Sequence, residues 1–560
     1  MKILGVSYLS YNAGASLIVD GEVVASVTEE RLNRIKYCNS FPFLAIEYCL
    51  LRAGLKFSDL DVIALNANPN IDMTNWNRVA GNSPSWFPEM LVNTISSIHK
   101  LAKTNFSSDH LKVTFDIDGK SVNLIFVQHH YCHIASSFYL SDFDTSICLS
   151  LDGRGEKDSG LVVRASGRKF ENLETFQYPN SIGLLYGTFT SYLGYQIDKD
   201  EWKVMGLASY GSESYFISLV KKVAYFVNDT FLVDRNYFDY FNKASSAPYT
   251  DIFDELFQCR REPNDPITSA HKNLAFAVQA VVEEYVFKII RRLKDASPQV
   301  NNICLAGGVF MNSVLVGKLA ESKIFENLYV NAFPDDTGTC LGAALHVLQS
   351  KVSIKNNLFG PSVTNAQVER KLEKYGLDYS YYDDISLVTA KEVCAGKVVG
   401  WFQGGMEFGQ RALGSRSILA DARDVKNKDR LNRKIKYRES FRPFAPSVLD
   451  QDYSKFFPNR APCYFMEKTT MATDEFKEKF PAGVHVDGTC RVQTVDSNSN
   501  SVFYDLLERV RELTGHGVLL NTSFNLNGEP IVATLEDALK SFFTSGIDIL
   551  VVENYLIRKR

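Results

Sequence analysis

At 560 residues, 45% hydrophobic and 22% charged, the chain has an ordinary globular composition and is too long for a single hydrophobic core. A net charge of −4 and a pI near 6.2 exclude a wholesale nucleic-acid-binding surface, although nine Lys/Arg against four Asp/Glu over 421–442 leave room for a small phosphate-bearing ligand. No apolar run approaches about eighteen residues, so no membrane span is expected, and the ten cysteines lack CxxC pairs, which fits buried free thiols in a reducing cytoplasm.

The first residues read as a buried strand over 2–8 rather than a cleavable leader, and 15–28 alternates about Asp20-Gly21 as a hairpin. A helix follows over 41–54, and the insertion 68–110 carries Trp76, Trp86 and Phe87, a candidate wall for an acceptor, with core packing the plainer reading. The spacing then predicts a helix over 129–140 that opens on His129-His130-Tyr131-Cys132-His133. His129 and His133 share one face and either grip one metal ion or simply pack, while His130 points about 100° away. A buried strand over 145–152 ends on Asp152, and a second hairpin follows from Gly160 around Gly167. Two copies of strand, loop and hairpin predict an internally duplicated α/β domain of the actin-like kind, whose cleft holds a nucleotide and metal.

Helix 272–294 leads to the strand Asn302–Ala306, which ends on Gly307-Gly308 and runs on to Asn312. Glycines there let backbone N–H groups approach a phosphate, although many such pairs are plain turns. Asp335-Asp336-Thr337-Gly338 repeats the form with carboxylates at the mouth. Asp152 and Asp336 are thus the candidates to complete a metal site with His129 and His133, and two imidazoles with two carboxylates suit iron, manganese or zinc better than magnesium.

Periodicity weakens over 351–384, where Gly360-Pro361 marks the passage between domains, giving 1–355 and 356–560. Beyond it, strands at 397–403, 491–496, 517–520 and 548–553 alternate with helices near 385–395, 501–514 and 535–545. Lys436, Arg438 and Arg442 are interleaved with Tyr437, Phe441, Pro443 and Phe444, as in a walled pocket where cationic groups grip phosphate or carboxylate. Arg411 and Arg416, framed by Gly409, Gly414 and Ser415, read the same way; Asn521 and Ser523 sit at the carboxyl end of a strand, where open α/β sheets bind ligands.

These motifs together resemble the O-carbamoyltransferases of nodulation-factor and antibiotic biosynthesis, a family that includes the tobramycin and cephamycin enzymes. The resemblance spans the chain: Glu29 to Lys36, His129 to His133, Lys203 to Gly211, Leu305 to Val309, Asp336-Thr-Gly, Gly409 to Gly414, Arg416 to Asp421, Lys436 to Pro446, Asp487 to Thr494 and Asn521 to Asn525. It implies an N-terminal actin-like domain of the ASKHA class, akin to threonylcarbamoyl transferases, and a C-terminal YrdC-like α/β domain. The second would make carbamoyl-adenylate from carbamoyl phosphate and Mg-ATP; the first would deliver the carbamoyl group to a small-molecule hydroxyl. On that resemblance Arg411, Arg416, Lys436, Arg438, Arg442, Arg491, Asn521 and Ser523 surround carbamoyl phosphate and adenylate, and Gly307, Gly308 and Asn312 approach a nucleotide. His129, His133, Asp152 and Asp336 would hold Fe(II) or another divalent metal, Lys36 would lie at the transfer site, and a homodimer is implied.

One departure stands out. Where the family carries His-Asp after the first strand, this chain has Tyr11-Asn12, and a phenol with a pKa near about 10 is a poor base. His130 in that role, a tuned Tyr11, an amine acceptor needing less help, or loss of transfer would each answer it. A sugar-kinase-like phosphotransferase is the other enzyme reading, leaving the histidines and the C-terminal domain unexplained; a non-catalytic nucleotide-binding module is the third. Neither nucleic acid nor membrane is expected as a partner.

Overall fold

The computed structural model describes residues 1–8, 12–68, 110–117, 119–242, 247–439, 441–458 and 460–559. Tyr11 and the aromatic wall of Trp76, Trp86 and Phe87 lie outside them. The chain divides into two compact units, one made of Met1–Ala25 and Tyr37–Ser353, the other of Ser26–Lys36 and Ile354–Arg560. The short excursion 26–36 groups with the second unit although residues 37–353 separate its two parts.

The first unit holds two sheets with a shared plan. In one, β1 (Lys2–Ser7), β2 (Gly14–Val19), β3 (Glu22–Thr28), β4 (Val62–Leu65), β5 (His110–Ile117) and β6 (Lys120–Val127) lie in the order β3-β2-β1-β4-β6-β5. In the other, β7 (Thr145–Leu151), β8 (Asp158–Ser166), β9 (Lys169–Gln177), β12 (Asn302–Ala306) and β13 (Asn327–Tyr329) lie in the order β13-β12-β7-β8-β9. A separate hairpin pairs β10 (Ala224–Val227) with β11 (Thr230–Val233). Each sheet starts on a buried strand that pairs antiparallel with the next and parallel with a later one. That repeated order is the duplicated actin-like arrangement, built from apolar central strands such as Ile3, Leu4 and Val6 in β1 and Ile147 and Leu149 in β7.

The hairpins turn where the sequence places them. Asp20 and Gly21 both take positive φ, 50° and 91°, the two-residue turn whose twist matches paired strands. Helices His129–Phe138 and Thr339–Leu348 are held close by glycine: a Cβ on Gly342 would run into the Cys132 carbonyl, and one on Gly5 into that of Cys340. Asn66 Nδ2 donates to Thr339 Oγ1 at 3.0 Å, and Thr339 Oγ1 donates to the Asp336 carbonyl at 2.6 Å, fixing the turn that carries Asp336.

The second unit is built on an eight-stranded sheet. Its strands are β14 (Tyr379–Tyr381), β15 (Val399–Phe402), β16 (Arg416–Asp421), β17 (Ala445–Leu449), β20 (Gln493–Val495), β21 (Val518–Ser523), β22 (Ile549–Val552) and β23 (Tyr555–Arg558). They run β14-β23-β22-β15-β16-β21-β17-β20, and a two-stranded ribbon pairs β18 (Thr470–Met471) with β19 (Thr489–Cys490). Both faces are buried: Phe402, Ile418, Leu520 and Leu550 pack on one, Trp401, Leu419, Leu519 and Val551 on the other. Strands β16 and β17 escape sequence reading because Arg416 and Pro446 look like loop residues, yet Arg416 is fully buried and Pro446 pairs opposite Leu520.

All ten cysteines are free and eight are buried. Among the described residues no helix is long and apolar enough to cross a membrane.

Candidate metal centre and anion pocket

In the first unit, His129 and His133 project from their helix toward Asp152, at the end of β7, and Asp336. Their Nε2 atoms stand 3.0 Å apart. His133 Nε2 lies 2.8 Å from Asp152 Oδ2 and 3.3 Å from Asp336 Oδ1, and His129 Nε2 lies 3.7 and 3.3 Å from the same two oxygens. All four ligand atoms fall within 4.8 Å of one another. Neighbouring donors about 2.1 Å from one ion stand about 3.0–3.4 Å apart, so the set fits a transition metal. Burial disfavours charge on His129, but Asp336 and Asp152 outweigh it and hold the imidazole well above its usual pKa. Burial opposes the charge of Asp152 too, and His129 and His133 overcome it, holding the carboxyl well below the usual range. Such a proton-gathering nest is what a divalent cation would replace.

Glu156 supports the helix start. Its Oε1 accepts the N–H groups of Asn68 at 2.7 Å and His129 at 3.0 Å.

His130 does not serve as a base in this geometry. It is fully buried, with Nε2 donating to the Asp158 carbonyl and Nδ1 accepting from Ser150 Oγ, both at 3.0 Å. A carbonyl can only accept, so the tautomer follows, and no ring nitrogen remains for a substrate. Burial, reinforced by His129, pushes its pKa down to about 3.

Asn12 is buried with φ 70°, and its Nδ2 reaches Asp335 Oδ2 at 3.5 Å. Gly307 adopts φ 93° where a Cβ would strike the Leu151 carbonyl, and a Cβ on Gly308 would meet Asp152 Oδ1 at 3.0 Å. The glycine pair thus lies against the metal-site carboxylate. Asn312 caps helix Ser313–Ser322 through Leu315 N at 3.1 Å and bonds Gln279 Oε1 at 2.9 Å, so its amide is structurally engaged. Sequence reasoning passed over Asp198 and Glu201, which look like members of an ordinary charge run. The negative charges of Asp152 and Asp336 oppose charge on the exposed Asp198 and raise its carboxyl, and partial enclosure with Asp198 pushes Glu201 up to about 7.

In the second unit the predicted cations converge. Lys436 is buried, its Nζ donating to the Ser523 carbonyl and to Asn525 O and Oδ1, the last two at 3.0 and 2.8 Å. Arg438 donates from Nε to Asn432 Oδ1 at 2.6 Å and lies over the Phe444 ring. Arg442 Nη1 stands 3.4 Å from Glu439 Oε2. Burial, then Arg438, Arg442 and Lys36, push the Lys436 ammonium well below the usual lysine range. Burial and Arg442 likewise lower Arg438, and burial, Arg411 and Arg442 lower Arg491, whose buried Nε has no hydrogen-bond partner. Six cations, Lys36, Arg411, Lys436, Arg438, Arg442 and Arg491, therefore disfavour one another's charge. Like charges held together in a poorly screened site repel one another, and a bound anion would relieve that repulsion.

Asn521 lies at the base of this region, its Nδ2 held by Gln493 Oε1 at 3.0 Å and Ser447 Oγ at 3.1 Å. Arg416 departs from expectation. Its Nη1 donates to the Gln403 carbonyl at 2.8 Å and its Nη2 to that of Pro361 at 2.7 Å, with Ser415 and Gly404 carbonyls also in reach. Stacked 3.5 Å over Phe402, it clasps backbone rather than ligand. The 409–416 loop is set by Glu407, which the sequence left inconspicuous: its Oε1 accepts Leu413 N at 2.7 Å and Ser415 N at 2.8 Å.

One chain thus carries a duplicated α/β unit with a histidine–carboxylate cluster and a second α/β unit with a cluster of buried cations. The family model described as "Carbamoyltransferase N-terminus" matches residues 2–345, and that described as "Carbamoyltransferase C-terminus" matches 390–559. The chain belongs to the carbamoyltransferase family and is a transferase. It is 36% identical to nodulation protein NolNO of Sinorhizobium fredii, over 98% of this chain and 79% of that one. To the uncharacterized protein sll1178 of Synechocystis it is 35% identical, over 100% of this chain and 96% of the other. Among solved structures it is similar to the (R)-2-hydroxyglutaryl-CoA dehydratase component A of Acidaminococcus fermentans, at 14% identity and TM-score 0.34, covering 62% of this chain and 97% of that one.

Proposed function

We propose that the protein is an ATP-dependent carbamoyltransferase whose second unit, a YrdC-like domain, forms carbamoyl-adenylate from carbamoyl phosphate and ATP. The first unit then delivers the carbamoyl group to a hydroxyl of a small-molecule acceptor. The observation that carries this reading is the crowding of Lys436, Arg438 and Arg491, each with its charge opposed by burial and by like neighbours, Arg442 among those neighbours. A ligand rich in negative oxygen would relieve that crowding, and carbamoyl phosphate with the ATP phosphates supplies it.

Mass balance fixes the products. Carbamoyl-adenylate has one oxygen between the carbonyl carbon and the α-phosphorus, so water takes the phosphoryl group of carbamoyl phosphate as phosphate. The carbamate oxygen then attacks the α-phosphorus and pyrophosphate departs. In the transfer step the acceptor oxygen bonds to the carbonyl carbon, AMP leaves with the C–O electron pair, and the acceptor's proton passes to a base. His129, His133, Asp152 and Asp336 would hold the divalent metal, which when bound supplies Lewis-acid polarisation of ligand oxygens.

Mass spectrometry of the purified protein with ATP and carbamoyl phosphate, without acceptor, tests this. Carbamoyl-adenylate with both phosphate and pyrophosphate is expected, reduced at least about a hundredfold in Arg442→Ala. Turnover to ADP alone would favour a phosphotransferase and sink the proposal.

A further inference from the structure

Cys148 in β7 and Cys304 in β12 stand opposite each other in one sheet of the first unit, paired in register on parallel strands. In-register neighbours point to one face, and paired strands lie about 4.8 Å apart, inside the Cα separation of about 4.4–6.8 Å that a disulfide spans. Both residues are buried, each 1% exposed. Cys304 Sγ donates to Ser141 Oγ at 3.6 Å, and Lys351 Nζ donates to the same oxygen at 3.2 Å and to the Phe138 carbonyl at 2.5 Å. Ser141 Oγ therefore links a cation to the thiol, and Lys351 itself is an exposed residue, so the cluster borders on solvent along that edge. Burial opposes a thiolate at Cys304, but the Cys148 thiol, Ser146 and Ser141 outweigh it and hold Cys304 below the usual range, whereas burial pushes Cys148 up. The two sulfurs thus differ as an attacking thiolate and a resolving thiol differ.

We propose that Cys148 and Cys304 form a redox-sensitive dithiol, which a peroxide oxidises to a disulfide across β7 and β12, and that this cross-link loosens the candidate metal centre. It goes beyond the proposed function and shares with it only that centre. The Cys304 thiolate attacks one peroxide oxygen, the O–O bond breaks, the other oxygen leaves as water with the proton the thiol shed, and Cys304 becomes a sulfenic acid. The Cys148 sulfur then attacks the Cys304 sulfur, the S–O bond breaks, and a second water leaves with the Cys148 proton. The two thiols lose two electrons and the peroxide gains them. A disulfide holds its Cβ atoms about 3.8 Å apart, closer than the spacing of the strands, so closure draws β7 and β12 together. β7 runs on to Asp152 and β12 to Gly307, where a Cβ would already strike the Leu151 carbonyl, so the movement reaches the carboxylate that His133 meets at 2.8 Å.

The test treats the reduced full-length protein with hydrogen peroxide, alkylates the remaining thiols after denaturation and maps the peptides by mass spectrometry. A peptide pair joined through Cys148 and Cys304, lighter by two hydrogens and separated again by dithiothreitol, is expected while the buried Cys490 stays open to alkylation. In Cys148→Ala the oxidation should stop at a Cys304 sulfenic acid that dimedone traps, and in Cys304→Ala Cys148 should stay reduced. Both cysteines alkylated as fully as Cys490, or Cys148 oxidised on its own in Cys304→Ala, would overturn the proposal. Manganese(II) binding, read by calorimetry, should weaken about tenfold when the wild type is oxidised and stay within about twofold in Cys148→Ala treated alike. Unchanged affinity in the oxidised wild type would overturn the link to the metal centre, and a reduced protein that binds no manganese(II) would overturn that link together with the centre itself. No readout here requires carbamoyl transfer, so failure of the dithiol and failure of the proposed function are distinguishable.

Discussion

At the scale of single residues, side chains that look alike in sequence are told apart by where their hydrogen bonds go. Arg416 and Arg442 look alike in sequence, yet Arg416 spends its terminal nitrogens on four carbonyls. Arg416→Met should therefore cost about 2–4 kcal/mol, by stranding those acceptors, while pyrophosphate affinity of the folded protein stays within about threefold. Thermal melting beside calorimetry checks this, and affinity lost with melting unchanged would return Arg416 to the pocket. Glu201, held up to about 7, gives a pH signature. The unfolded carboxyl releases its proton near 4.5 and the folded one near 7, so the folded state binds more protons between them and stability falls as pH rises through that window. Glu201→Gln keeps an acceptor for Asp198 N and should flatten the fall, gaining up to about 3 kcal/mol at pH 8 in denaturant melts. An unchanged pH profile would show that Glu201 titrates normally. These roles were invisible in sequence because hydrogen-bond partners and enclosure come from distant segments.

At the scale of elements, the candidate metal centre depends on how closely two helices approach. His129 and His133 were legible from i, i+4 spacing alone, and the helix His129–Phe138 matches the periodicity. Asp336 reaches them because helix Thr339–Leu348 rests its Gly342 on the Cys132 backbone. Gly342→Val should force the helices apart, destabilise the protein by about 1–3 kcal/mol and lower metal content measured by elemental analysis at least tenfold. Full metal content in that variant would show the carboxylate reaching the histidines without close packing. Strands β16 and β17 show the opposite limit of sequence reading. Their Arg416 and Pro446 argue against burial locally, and only carbonyl partners brought by residues 361 and 403–404 make the arginine acceptable inside.

At the scale of the whole molecule, each unit keeps its own apolar core, and periodicity placed most of the elements that build them. The duplication could be read from two strand–hairpin copies and appears as two sheets of matching strand order. What the sequence by itself determined is therefore the local and repeating: strand and helix identity, the Asp20-Gly21 turn, the histidine pair, the cation-rich stretch 436–442, and through its motifs the carbamoyltransferase family. The sequence also named Asp152 and Asp336 as candidate partners of those histidines, whereas tertiary structure alone decided the distances at which they meet, that His130 is locked between Ser150 and Asp158, and that Arg416 bonds backbone carbonyls. It also decided that residues 26–36 belong with a unit that resumes only at Ile354. The reason is physical: periodicity and turn chemistry act over a few residues, whereas coordination, desolvation and ion pairing depend on distances that only the folded chain sets.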